Sequence, residues 1–304
     1  SYSVTGVQTC ALPISTGGVS GAFLILPFQV SILGFTSPAV SSTNQLYNIV
    51  AIPSGVIKYI REGRMVWPLT WIVVFGTLPG VFIGAYMRLT YLPDPQTFKV
   101  FAGFVLLYIG IKIITELFKK KKEKQGSEDR FQQLVKNYKS SDHNNERLKL
   151  PKASVKSFSL KKLIYEFYGE TFEVPTIKIF IISLIVGIGG GAYGIGGGAI
   201  MAPIYVAFFR LPVYTVAGPA LMGTFITSVA GVLFYQFLAP YYPSLTVAPD
   251  WLLGFLFGVG GFAGMYVGAS LQKYLPAIYI KWVLGIVITF ISVLYISEII
   301  KLLN

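Results

Sequence analysis

Long apolar runs alternate with short polar links along almost the whole chain. Runs at residues 16–34, 38–60, 68–88, 96–118, 177–209, 214–237, 251–271 and 279–302 stand out. A bilayer core takes roughly 20 apolar residues of helix, so the pattern predicts an all-α, polytopic membrane protein with about eight transmembrane helices. The run at 177–209 is too long for a simple span and contains GIGGGAYGIGGGAIMAP, residues 187–203. Glycine is a poor helix former, so this run reads as a membrane helix broken in its middle. Broken backbone is tolerated at membrane depth only where protein buries it or water lines it. In transporters such breaks aim half-helix ends at the substrate. The run at 16–34 opens with its own glycines and reads as the second half of a similar helix.

One long segment breaks the alternation. Residues 119–174 open with KKKKEK and carry more than half of all Lys and Arg. Their polar centre shows no clear period and reads as a flexible loop. Their end, SLKKLIYEFYGETFEV, mixes aromatic and charged residues and is expected to lie along the membrane surface. The organisation is then residues 1–14, a first transmembrane repeat at 15–118, a basic loop at 119–175 and a second repeat at 176–304. Residues 4–14, VTGVQTCALPI, match the translation of a common sequencing adapter residue for residue. They are therefore expected to be an artefact and not native, which leaves Cys10 without meaning and the first span truncated.

The two halves resemble each other. Residues 18–27 align with 194–203, and the same offset carries Asn48 onto Thr224 and Tyr59 onto Tyr235. Trp71 falls on Trp251, Gly84 on Gly264, and Gly103 on Gly285. This is a pair of four-helix halves, each with a glycine-broken first helix. Four spans per half make the repeats parallel, whereas a re-entrant glycine segment makes them inverted.

Composition agrees with the membrane reading. The chain of 304 residues is 54% hydrophobic and 12% charged, about half the charged share of a soluble protein. Half of its net charge of +12 lies in the 119–174 segment, where the positive-inside rule accounts for it, and no nucleic-acid partner is implied. Lys58, Arg61 and Arg64 follow the second run and the basic segment follows the fourth. Both loops, and with even parity both natural termini, are expected in the cytoplasm. One Cys and one His provide no disulfide framework, metal site or cofactor site. Gly187–Ala192 fits the dinucleotide pattern GxGxxA, but the membrane-like flanks remove the strand and acidic residue that pattern needs. No Lys follows the glycines, so a phosphate loop is excluded.

The stretch GIGGGAYGIGGGAIMAP, the following LPVYTVAGPALMGTFITSVAGV and the first-half GAFLILPFQVSILGFTSPAVSSTNQLYNIVAIPSGV resemble the TauE/SafE family of sulfite exporters. The resemblance runs from residue 16 onward. It implies a bacterial or archaeal inner-membrane permease for sulfite, sulfoacetate or other small sulfur-containing or organic anions, with no enzymatic activity. The lipid bilayer and a small anion are the expected partners, with no nucleic acid. A non-transporting membrane scaffold or sensor, with the basic loop as docking arm, is the alternative.

A helix start offers unpaired N–H groups to an oxyanion, and glycine allows close approach. Gly17, Gly18 and Gly21 are the candidate substrate contacts of the first half, and Gly194, Gly196, Gly197 and Gly198 those of the second. Asn44, Asn48, Thr224, Thr227 and Ser228 are the candidate side-chain donors. Close helix packing, and hydroxyls bonded to their own helix, would use the same residue types. Gly76, Gly80 and Gly84, and Gly254, Gly258, Gly260, Gly264 and Gly268, read as packing seams. Arg88, Lys99, Arg210 and Lys281 sit near span ends and read as snorkelling side chains, with an anion-attracting vestibule role as the alternative for any one of them. No Asp, Glu or His stands in the middle of a span, so no proton-relay group is visible. No Cys lies in a span, which excludes a thiol relay.

Overall fold

The computed structural model describes residues 20–61, 63, 65–119, 154–167, 170–199, 201–209, 211, 213–271, 282, 285–286 and 288–297. Its helices are α1 (Ala22–Ser31), α2 (Ala39–Arg61), α3 (Trp67–Thr90), α4 (Pro95–Lys119), α5 (Thr176–Tyr193), α6 (Met201–Phe209), α7 (Val213–Leu238), α8 (Trp251–Leu271) and α9 (Ile288–Ser297). Three stretches, Trp67–Thr90, Thr176–Tyr193 and Thr215–Tyr241, are long and apolar enough to cross a membrane. The helices α2, α4 and α8 reach 23, 25 and 21 residues, about 30 Å or more at 1.5 Å per residue. The adapter-like residues 4–14 lie outside the described residues.

The fold is mostly helical but not all-α. Strands β1 (Ser154–Phe158), β2 (Lys162–Phe167) and β3 (Glu170–Pro175) form an antiparallel sheet in the order β1-β2-β3. The segment expected along the membrane surface is therefore strand. Its alternation was readable: Leu163, Tyr165 and Phe167 are buried while Lys162 is exposed and Ile164 and Glu166 are half-buried. That is the two-residue period of a pleated strand. The buried face packs on the starts of α3, α5 and α7 and on α6, among Val66, Leu69, Ile179, Tyr205 and Val216. Tyr165 stacks on Phe172 with centroids 5.3 Å apart and shares a hydrogen bond of 2.9 Å with Thr215 on α7. Tyr165→Phe is expected to lower stability by about 1 kcal/mol, the net worth of one buried hydrogen bond, which thermal unfolding in detergent will read.

The sheet marks one end of the bundle and orients every helix. The helices α3 and α5 run parallel along a seam of small residues. A Cβ on Gly76 would sit 2.6 Å from Ser183 Cβ, and one on Gly80 2.8 Å from Ile188 N. One on Gly84 would sit 2.7 Å from Ala192 N, and one on Gly191 2.7 Å from Val81 Cα. Small residues spaced by four let the backbones touch. The same direction holds for α7, with Gly223 against Val73 and the Phe234 ring tilted against Phe82 at 4.8 Å. The opposite direction holds for α2: Asn48 bonds Ser228, Gly55 meets Leu221, and Tyr59 reaches Gly218. In turn α8 runs with α2, Gly254 against Leu46 and Gly258 against Val50; Gly261, against Tyr47, completes that seam. Finally, α4 and α9 are antiparallel, with Ser292 Oγ donating to Gly103 O at 2.8 Å and Gly110 against Thr289.

Two topological expectations change. The glycine-rich segment does not interrupt one spanning helix. It reverses the chain, and α6 returns along α5 toward the sheet, bringing Met201 Sδ to 3.9 Å from Ser183 Oγ. Because this reversal alters the parity, α9 runs away from the sheet. Its Tyr295 bonds Ser31 and Pro27 at the far end of α1. The last described helix thus ends opposite the basic segment, not on its side as even parity had implied. The described C-terminal ends of α2 and α4 do share the sheet end.

Candidate functional site

The reversal after α5 is written in its glycines. Gly194 caps α5 with φ +85° and ψ +19°, a left-handed conformation that only glycine adopts freely. The N–H groups of Gly194 and Ile195 both bond to Gly190 O, at 2.9 and 3.0 Å, the double closure of a glycine C-cap. A Cβ at Gly194 would lie 2.6 Å from Ser41 Cα. A Cβ at Gly196, whose φ is +76°, would come 2.8 Å from Ser228 Oγ, and one at Gly198 2.6 Å from Thr224 N. A Cβ at Gly197 would come 2.8 Å from Thr77 Oγ1. The turn is thus wedged among α2, α3 and α7, with no room for a side chain at Gly194, Gly196, Gly197 or Gly198.

Asn48 joins the parts. It is fully buried near the middle of α2. Its Nδ2 donates to Ile195 O at 3.0 Å and to Ser228 Oγ at 3.2 Å, while its Oδ1 accepts from Ser20 Oγ. Ser20 Oγ in turn accepts from Ala22 N at 3.2 Å, at the start of α1. Asn48 therefore links the start of half-helix α1 to the turn before half-helix α6. Thr227 Oγ1 accepts from Gly197 N at 3.1 Å while donating to Gly223 O at 2.7 Å. Every group here is neutral, and Asn48, Thr77, Thr224, Thr227 and Ser228 are all inaccessible to solvent. Neutral donors beside two half-helix N-termini suit an anion without holding a competing fixed countercharge.

The structure thus brings together Asn48, Thr227, Ser228 and Gly194–Gly198, with Gly21 beginning α1 beside them. Asn44 stands one turn away: its Nδ2 donates to Ala22 O at 3.1 Å, and its Oδ1 has no partner. Thr224 turns its hydroxyl onto Ala220 O of its own helix at 2.8 Å and contributes packing against Gly196 and Gly198 instead. Gly17 and Gly18 lie outside the described residues. Among the described residues, His, Cys, Asp and Glu form no group of three that could hold a metal.

Sequence reasoning missed Ser20, Ser41, Thr77 and Gln45. Ser41 Oγ donates to Ala192 O at 3.1 Å, and Gln45 is fully buried with both amide atoms unpartnered. The signal was a cluster of polar residues inside an otherwise apolar span, SSTNQ at 41–45, which membrane burial makes costly without a purpose. Arg88 also differs from expectation. It does not snorkel: it is fully buried, with its Cζ 3.8 Å from the centre of the Phe98 ring.

A buried polar meeting point of half-helices inside a bundle of apolar helices defines a membrane transporter. The sequence model of the family described as "Sulfite exporter TauE/SafE" matches residues 12–295, and the chain belongs to that family. It is also similar to "Probable membrane transporter protein YunE" of Bacillus subtilis (strain 168), 21% identical over 293 residues that cover 92% of this chain and 91% of the relative. No solved structure matches. Family and relative are both named as transporters, in accord with the non-enzymatic reading.

Proposed function

We propose that the protein is a permease that moves small sulfur-containing or organic anions across the cytoplasmic membrane, through the meeting point around Asn48. The observation that carries this reading is the Asn48 bridge. One amide ties the start of α1, the turn before α6 and the middle of α7. Half-helices that converge at mid-depth are the transporter form of a helix-end ion site. Full burial of the cluster fits an occluded state, and alternating access then opens it to one side at a time.

The direction of the helices supports a two-half design with inverted topology. Helices α2 and α7, equivalent by the internal repeat, run opposite ways, and so do α3 and α8. The contact of α3 with α7 has its counterpart in that of α8 with α2. The ends of α2 and α4 that lead into basic sequence lie at the sheet end, which is the cytoplasmic face by the positive-inside rule. A scaffold or sensor would not need unpartnered amides such as Gln45 in its core.

The test is efflux of sulfite, sulfoacetate or sulfate from loaded proteoliposomes. Saturable efflux of one anion is expected, and Gly197→Leu is expected to reduce it to the level of empty liposomes. Absence of flux for every anion tested, from folded protein, would overturn the anion reading in favour of the scaffold.

A further inference from the structure

The helix register continues beyond the Asn48 cluster toward the end opposite the sheet. One turn along α2 from Asn48 stands Gln45, its amide oxygen and nitrogen unpartnered. It lies against Gly231 of α7, where a Cβ would come 2.7 Å from Gln45 Cδ. The missing side chain makes room for that amide. One turn further along α7 is Tyr235, whose hydroxyl donates to Gly191 O at 3.2 Å. At the same level of α3 is Arg88, eleven residues past Thr77, or about 16 Å along the axis.

Arg88 is unusually placed for a cation. It is fully buried. Its Nη1 donates to Leu92 O, and the flat face of the guanidinium lies on Phe98. Phe98 in turn packs on Tyr193, the last residue of α5, with centroids 6.5 Å apart. Among the described residues the other edge, Nε and Nη2, has no partner. That edge is the fork that takes two oxygens of a carboxylate, sulfonate or sulfite at once. Among the described residues the titratable groups within its electrostatic reach are Tyr235 and Asp94. Asp94 is committed elsewhere. Its Oδ2 accepts from Gln96 N at 3.0 Å, Thr97 N at 2.9 Å and Thr97 Oγ1 at 3.1 Å, capping α4. Those bonds, the Thr97 N–H foremost, hold its carboxyl below the usual range, with a smaller pull from Arg88. A buried charge left with an empty fork is costly, and an oxyanion removes that cost.

We propose that Arg88 is the anchor of a second oxyanion site, at the end of the bundle opposite the sheet, which passes anions to or from the central cluster by way of Gln45. It rests on the permease reading for its place in a route, but not for its ability to bind. The ligand class is a small oxyanion with two oxygens in one plane, a sulfonate, sulfite or carboxylate.

The experiment uses the full chain purified in detergent and measures thermal unfolding with sodium sulfite or sulfoacetate against sodium chloride of equal ionic strength. Wild-type Tm is expected to rise with either oxyanion beyond the chloride control. Arg88→Lys keeps the charge and loses the fork, and most of that rise should disappear. A structural role for Arg88 would lower Tm without anion yet leave the anion-dependent rise intact, which would overturn the site. A wild type that shows no rise with either oxyanion overturns it too. Asp94→Asn keeps an oxygen to cap α4 and removes the nearby negative charge, so its rise should exceed that of wild type. This variant decides the matter if Arg88→Lys does not fold, and an unchanged rise counts against the site. Efflux separates the two proposals. Oxyanion stabilisation lost in Arg88→Lys, without flux in wild type, keeps the site and removes the permease. Flux with an unchanged half-saturating concentration in Arg88→Lys does the reverse; an increase of about tenfold, the equivalent of 1.4 kcal/mol, is expected.

Discussion

Gly84→Ala is expected to prevent recovery of folded protein, whereas Gly189→Ala, five residues after Leu184 on the facing helix, is expected to be tolerated. Both changes add one methyl to a membrane helix. On Gly84 that methyl meets backbone of α5, including Ala192 N at 2.7 Å, where nothing rotates aside. On Gly189 it meets nothing within 4 Å. Ordinary overpacking costs roughly 1–3 kcal/mol. Here α3 would have to leave α5, and the contacts of Gly76, Gly80, Gly187 and Gly191 along the same seam would go with it. By contrast, Gly189→Ala gains up to about 1 kcal/mol of helix propensity. Size-exclusion chromatography in detergent, followed by thermal unfolding, distinguishes the two. Equal yields and equal Tm would show that the seam does not hold the fold.

The second large effect falls on activity. Asn48→Leu is expected to abolish anion efflux. The change leaves Ser20 Oγ without its acceptor and Ile195 O and Ser228 Oγ without their donor. Each buried group so orphaned costs about 1–3 kcal/mol, enough to shift the turn that aims α6. Asn48→Asp is the informative companion. It keeps an acceptor for Ser20 but loses the donor and adds negative charge where the anion must pass. Efflux should stay absent in Asn48→Asp at any substrate concentration. Efflux from Asn48→Asp at the wild-type rate would remove Asn48 from the anion's path.

The internal repeat had already paired Asn48 with Thr224, and the structure gives the two different tasks. Asn48 carries two donors and an acceptor and bridges three elements. Thr224 has one hydroxyl, which its own helix claims through Ala220 O. That competition is common for threonine in helices and leaves no mark in the sequence. The glycines were more legible. GGG at 196–198 marked the place of close approach, and positive φ at Gly194 and Gly196 explains why other residues do not serve there. The sheet was legible as well, since the apolar positions of β2 recur every second residue, but the charges between them imitated a segment lying along the membrane surface.

By itself, the sequence determined where the chain leaves water, which residues are small enough for backbones to touch, and where a helix has to stop. These are local properties: hydropathy over a helix length, absence of a Cβ, freedom in φ. What the chain does after it stops is not local. Whether α6 continues beyond Tyr193 or returns beside α5 depends on Ser41, Thr77 and Thr224, which lie 152, 116 and 31 residues away in the chain from Tyr193. The fate of Arg88 was decided the same way. A cation near the end of a span reaches water unless something covers it, and here Phe98 and the neighbouring helix ends cover it. Only the assembled bundle made that charge a buried one with an empty edge.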